Sequence, residues 1–298
     1  ILPNQNMKSI HINNLGFRGS DFANPKSSDI FRIFFIGGST AFGSGSSSDD
    51  TTIPGYLQTF FNQHKSIHRI EIINGGKSGF NTITEKKFIF DTVQYLQPDM
   101  IIMYDGWNDI RADHKPDVLT NNWRDVCDLG KENDFQTVII LQPTLAFGKK
   151  PLTKQERSNY LIDSDYFGYR MVTKSEIYEK YASNIKDIPN CTVSYDLRSV
   201  FENTTESIYY DGGHMSDNGN RIIAEQIFLL IHNNVFTSEP KGKLLINPII
   251  LTPDVKNESG KKENSLKQDI MRLYLQMKAL PSFRSEEHTS ELQSLRHL

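Results

Sequence analysis

The sequence predicts an α/β fold, a flavodoxin-like three-layer α/β/α sandwich with a mainly parallel five-stranded sheet. Two patterns predict it. Five short runs rich in β-branched and aromatic residues recur along the chain, and segments with helical spacing lie between them. Such alternation implies parallel strands with helices on both faces of the sheet. The chain has 298 residues, 37% hydrophobic and 23% charged, so it can bury a sizeable core and is neither disordered nor fibrous.

Residues 1–29 are polar and rich in Asn, Gly and Ser, which reads as a lead-in loop or edge element. Ile30–Ile36 is an apolar run stopped by Gly37 and Gly38, as expected of a strand buried on both faces. Arg69–Ile73, Met100–Tyr104, Thr137–Leu141 and Thr192–Tyr195 are further strands of the same kind. Helical spacing covers Ile53–Phe61, Glu85–Leu96, Val118–Asn133 and Ser175–Ile188. It also covers Asp217–Asn233, where Ile222, Ile223, Ile227 and Leu230 form one stripe and Ser216 is the N-cap.

Phe147–Lys174 is long and polar for a connection, and two readings stand: a lid or substrate-binding insertion, and a plain surface loop. The main domain is expected over 30–236. Residues 237–283 form a polar linker and an amphipathic helix, Ser265–Leu280, with Ile270, Leu273, Tyr274 and Met277 on one face. Residues 284–298 resemble a translated sequencing adapter and are excluded from fold and function.

Composition excludes several classes. A net charge of −3 gives no basis for binding nucleic acid or an anionic membrane. No run approaches the roughly 18–20 apolar residues of a membrane span. Cys127 and Cys191 are too few for a disulfide scaffold and are expected as buried thiols. His11, His64, His68, His114 and His232 show no metal-ligand spacing, so no metal and no cofactor are expected. The chain opens on Ile1, as expected of a fragment or a mature form, and the compartment stays open.

The positions after the strands carry the chemistry. In open α/β sheets, ligands bind beyond the carboxyl ends of the strands. After the first strand, Gly37-Gly38-Ser39-Thr40 turns the backbone sharply and is expected to expose Ser39 at the sheet edge. After the second, Asn74-Gly75-Gly76-Lys77-Ser78-Gly79 can offer a backbone N–H to an anion. It is no phosphate-binding P-loop, because Glu71 stands where that motif needs its first glycine. After the third, Asp105-Gly106-Trp107-Asn108-Asp109 adds a side-chain amide. Asp211-Gly212-Gly213-His214 lies just before the last helix. Its spacing lets the carboxylate hold one imidazole nitrogen and free the other as a base.

Taken singly, each has a bland reading. Ser39 and Asp211 suit caps, Asn108 suits a turn, and His214 suits a surface. Trp107 suits either a pocket wall or the core, and Asp49-Asp50 reads as a solvated loop. The case rests on four blocks in order, each at a sheet end.

Those four blocks resemble the SGNH hydrolases, the GDSL-type esterases and lipases. Gly37-Gly38-Ser39-Thr40 matches the nucleophile block and Asn74 to Thr82 the glycine block; Gly106-x-Asn108-Asp109 matches the asparagine block and Asp211-x-x-His214 the last. Two positions depart: Gly38 stands where Asp is common, and Met215 where Pro is common. Asn14-Leu15-Gly16-Phe17-Arg18-Gly19 also resembles a lead-in of some members, with no role attached.

The resemblance implies an SGNH hydrolase domain over 30–236 and ester hydrolysis through an acyl-enzyme. The implied nucleophile is Ser39, the base His214 and its orienting acid Asp211. The implied oxyanion donors are the Ser39 and Gly79 backbone N–H groups and the Asn108 side chain. The expected partner is a small-molecule or carbohydrate ester, for instance a sugar acetate. An O-acyltransferase using the same residues and a catalytically dead binding module are the alternatives.

Overall fold

The computed structural model describes residues 1–64, 68–159 and 171–236. The expected helix over 265–280 and the tail over 284–298 lie outside the described residues, as does part of Phe147–Lys174.

Five strands build one parallel sheet: β3 (Ile30–Gly37), β4 (Arg69–Asn74), β5 (Met100–Asp105), β6 (Gln136–Leu141) and β7 (Val193–Asp196). Their order is β4-β3-β5-β6-β7, so the chain reverses its direction of winding next to β3. Register pairs Phe35 with Asn74 on one side of β3 and Gly37 with Tyr104 on the other. The predicted strands are therefore present, each with its end shifted by a residue or so.

Side chains alternate across β3 as strand geometry requires. Ile33 and Phe35 face one layer, with Ile102, Tyr104, Val138 and Ile140. That layer is closed by α2 (Ile53–Gln63) and α7 (Asp217–Ile231), which bury Leu57, Phe61, Ile223 and Ile227. Phe34 and Ile36 face the other, with Ile101, Met103, Ile139 and Leu141. There α3 (Thr82–Asp91), α5 (Pro116–Glu132) and α6 (Met171–Asn184) supply Ile89, Trp123, Val126 and Tyr181. The result is the three-layer α/β/α sandwich that the sequence predicts.

Local signals explain the boundaries. The predicted helix over Glu85–Leu96 instead starts at Thr82, because Asn81 and Thr84 form a reciprocal capping box. It then gives way to a 3-10 turn, Val93–Leu96. Thr52 and Ser216 cap α2 and α7 by accepting from the backbone N–H three residues on. Arg32, inside the apolar β3 run, is fully buried and satisfied. Its guanidinium pairs with Glu71 at 2.7 Å and donates to the Leu96 and Ala23 carbonyls.

Residues 1–29 are more ordered than a loop. β1 (Gln5–Asn6) and β2 (His11–Ile12) form a small antiparallel pair, and Ile10 and Ile12 are buried. The expectation of free thiols is wrong: Cys127 on α5 is disulfide-bonded to Cys191, just before β7. The two lie 64 residues apart in sequence, but packing α5 beside β6 and β7 brings their Cα atoms to 4.8 Å. The solvated loop expected at Asp49 is also corrected, because its carboxylate pairs with the buried Arg18 guanidinium at 2.7 Å.

Candidate active site

Three of the four blocks follow β3, β4 and β5 directly, and the fourth precedes α7. β3 runs into the single helical turn α1 (Ser39–Phe42), so Ser39 stands at the first helical position. Gly38 must be small: a Cβ there would lie 2.4 Å from Asn108 Nδ2 and 3.0 Å from the Phe80 carbonyl. The departure from the usual Asp is thus matched by the close approach of Asn108. Ser39 is buried rather than exposed at the sheet edge, because neighbouring loops close over it.

His214 reaches Ser39 from the other end of the chain. Its Nε2 lies 2.8 Å from Ser39 Oγ, and its Nδ1 lies 2.7 Å from Asp211 Oδ2. The second Asp211 oxygen accepts the backbone N–H groups of Gly213 and His214, at 2.9 and 2.8 Å. Burial works against the Asp211 charge, but the His214 charge and these hydrogen bonds outweigh it, holding the carboxyl down at about 2. A carboxylate so fixed orients the imidazole and selects its tautomer.

Asn108 opens α4 (Trp107–Arg111), next to the loop after β4. Its Nδ2 donates to the Phe80 carbonyl at 2.7 Å, which ties the amide to the loop carrying Gly79. An amide nitrogen has two hydrogens, so one remains beyond that tether. Gly79 has φ +76°, a conformation that glycine adopts without strain. Trp107 is buried in the core, and its indole lies 2.9 Å from where a Cβ on Gly213 would sit. It supports the His214 loop from below.

A buried acidic layer lies behind Asn108, and sequence reasoning missed it. Asp109 accepts from Thr82 Oγ1 at 2.6 Å and contacts His114 Nδ1 at 2.9 Å. Asp105 accepts from Trp123 Nε1 at 2.8 Å. Burial, with Asp109 nearby, pushes the Asp105 carboxyl up to about 7 and raises Glu85 well above its usual range. The remaining oxygens, Asp105 Oδ1 and Glu85 Oε2, have no other hydrogen-bond partner, so the two carboxyls hold a proton between them. A signal did exist: Thr82, Glu85 and Ile89 fall on one helical stripe, which places a carboxylate on the buried face.

A second overlooked residue is Glu156. It is fully buried and pairs with Lys150 at 2.7 Å. It also accepts the Ile208 and Tyr209 N–H groups at 2.8 and 3.1 Å, and so braces the approach to Asp211. Leu145 N–H adds a bond to the Gly212 carbonyl at 2.9 Å. Among the described residues, no group of three or more His, Cys, Asp or Glu side chains is arranged to hold a metal. No helix among them is long and apolar enough to cross a membrane.

No protein-family model matches this sequence, and no curated protein matches it. Solved structures do. A variant of an acetyl-xylooligosaccharide esterase from Geobacillus stearothermophilus superposes with a TM-score of 0.51 at 15% identity, over 71% of this chain and 97% of that one. An acetyl xylan esterase gives 0.49 at 18% identity, over 67% and 99%. A lipolytic protein of the G-D-S-L family from Desulfitobacterium hafniense gives 0.48 at 16% identity, over 67% and 99%. At these identities the likeness is one of fold.

Proposed function

We propose that this chain, whose fold is that of the SGNH hydrolase superfamily, is a serine-dependent ester hydrolase. One observation carries the reading: an unbroken chain from Ser39 Oγ through His214 Nε2 and Nδ1 to Asp211, with links of 2.8 and 2.7 Å.

Ser39 Oγ attacks the ester carbonyl carbon while His214 Nε2 takes the hydroxyl proton. Negative charge builds on the former carbonyl oxygen. The Ser39 and Gly79 backbone N–H groups and the Asn108 amide receive it. The intermediate collapses by breaking the carbon–alkoxy bond, and His214 returns its proton to the departing alcohol. Water then repeats the sequence on acyl-Ser39, losing its proton to His214, and the carboxylic acid leaves. Asp211 stays ionised throughout and steadies the imidazolium.

The substrate class that fits best is a small acyl ester, an acetyl group on a carbohydrate. The acetyl-xylooligosaccharide esterase of similar fold supports that choice. The test is release of acetate from acetylated xylooligosaccharides and from p-nitrophenyl acetate. Turnover that Ser39→Ala abolishes supports the reading; equal turnover by Ser39→Ala overturns it.

A further inference from the structure

We infer that Arg18 is a positioning residue for Ser39, an inference that rests on the esterase reading above. The lead-in Asn14-Leu15-Gly16-Phe17-Arg18-Gly19 has no place in the reaction as derived so far. Its local structure gives it one. Asn13 Oδ1 accepts the Leu15 and Phe17 N–H groups, at 3.0 and 2.9 Å, and shapes the turn. Phe17 packs into the core against Phe22, Phe34 and Phe88. The Arg18 N–H bonds the Asn74 carbonyl at 3.2 Å, at the end of β4.

The Arg18 side chain is then committed to the nucleophile turn. It is buried, and its Nη1 donates to the Phe42 and Gly43 carbonyls at 3.0 and 2.9 Å. Its Nη2 donates to the Ser9 carbonyl at 3.0 Å, and its Nε to Asp49 Oδ1 at 2.7 Å. Asp49 Oδ2 in turn accepts the His11 N–H at 3.0 Å. Four residues of helix cannot hold themselves, since a first turn costs more order than its bonds return. The last carbonyls of any helix also need outside donors. In α1 those carbonyls receive Arg18, joined by Asn74 Nδ2 on Phe42 at 3.1 Å. Gly43 and Ser44 both donate to the Ser39 carbonyl, at 3.0 and 2.9 Å. Fixing residues 42 and 43 therefore fixes Ser39. Only a planar guanidinium supplies donors in this fork.

The experiment compares wild type, Arg18→Ala and Arg18→Lys at a temperature where circular dichroism shows each fully folded. It reads p-nitrophenyl acetate kinetics and the rate of Ser39 labelling by a fluorophosphonate. The expected result for Arg18→Ala is labelling and kcat each at least about tenfold slower, because small displacements of a nucleophile are costly, with KM nearly unchanged. Millimolar guanidinium chloride should restore part of the rate, and methylammonium chloride should not. Arg18→Lys should fall between, and it replaces Arg18→Ala if that variant does not fold. A folded variant labelled as fast as wild type overturns the role of Arg18 alone. An unlabelled wild type overturns the esterase reading, and this inference with it.

Discussion

His214 Nε2 lies 2.8 Å from Ser39 Oγ, although 175 residues separate the two in sequence. The distance is set from both sides. The turn carrying Ser39 continues into a loop whose Ser47 N–H and hydroxyl bond Asp217, at 3.0 and 2.5 Å. Asn220 Nδ2 binds Ser46 Oγ and the Thr51 carbonyl, both at 3.0 Å. Asp217 and Asn220 open α7, the helix that follows His214. The nucleophile loop and the base loop are therefore fastened to the same helix start, and the hydrogen bond between them needs no closure to form.

Asn108→Ala removes one oxyanion donor and the tether to Phe80. We expect kcat to fall by about 10²–10³, with little change in KM, since such donors act on charge present only in the transition state. Steady-state kinetics on p-nitrophenyl acetate read both. A drop confined to KM would show that Asn108 serves ground-state binding instead.

Asp211 carries a sign in its pH dependence. Its folded carboxyl is held at about 2, below its ordinary 3.8. The stability it contributes is present above about pH 4 and is lost as pH falls through 2. Asp211→Asn should flatten that acid limb in calorimetric melts. It should also lower kcat by about 10⁴-fold, through loss of the correct imidazole tautomer.

The Glu85–Asp105 pair works in the opposite direction. Asp105 is pushed up to about 7, so its protonated form favours the folded state. Its contribution is complete below about pH 4 and disappears as pH rises through 7. In Glu85→Gln the side-chain amide donates to Asp105, which can then ionise freely. The decline in Tm between pH 4 and 7 should therefore be shallower than in wild type. An identical slope would show that the two carboxyls do not share a proton.

The Cys127–Cys191 bridge closes a loop of 64 residues. On the loop-entropy model, such a closure stabilises the fold by about 4 kcal/mol. The double variant Cys127→Ala/Cys191→Ala should lose close to that amount in urea melts while keeping its kcat, because the bridge joins α5 to the entry of β7. Equal stability would mean that the thiols are not paired in the protein as isolated.

Much of the fold was legible because its signals are local. The run Ile30–Ile36 needs only β propensity and a glycine stop, and the Asp217–Ile231 stripe needs only its spacing and the Ser216 cap. The four site blocks were legible because the sheet gathers whatever follows its strands. What escaped were pairings made by tertiary packing. Cys127 and Cys191 meet only once α5 lies beside β6 and β7. Arg18 and Asp49 meet only once the lead-in covers α1. Glu156 read as an ordinary charge within a polar stretch, and only folding set its carboxylate against Ile208 and Tyr209.

The most direct measurement is peptide mass spectrometry of the chain after reaction with a fluorophosphonate, in wild type and in His214→Ala. The account predicts stoichiometric phosphonylation of Ser39 in wild type and labelling slower by orders of magnitude without the imidazole. Modification of another residue, or labelling of Ser39 at the same rate in both proteins, would contradict it.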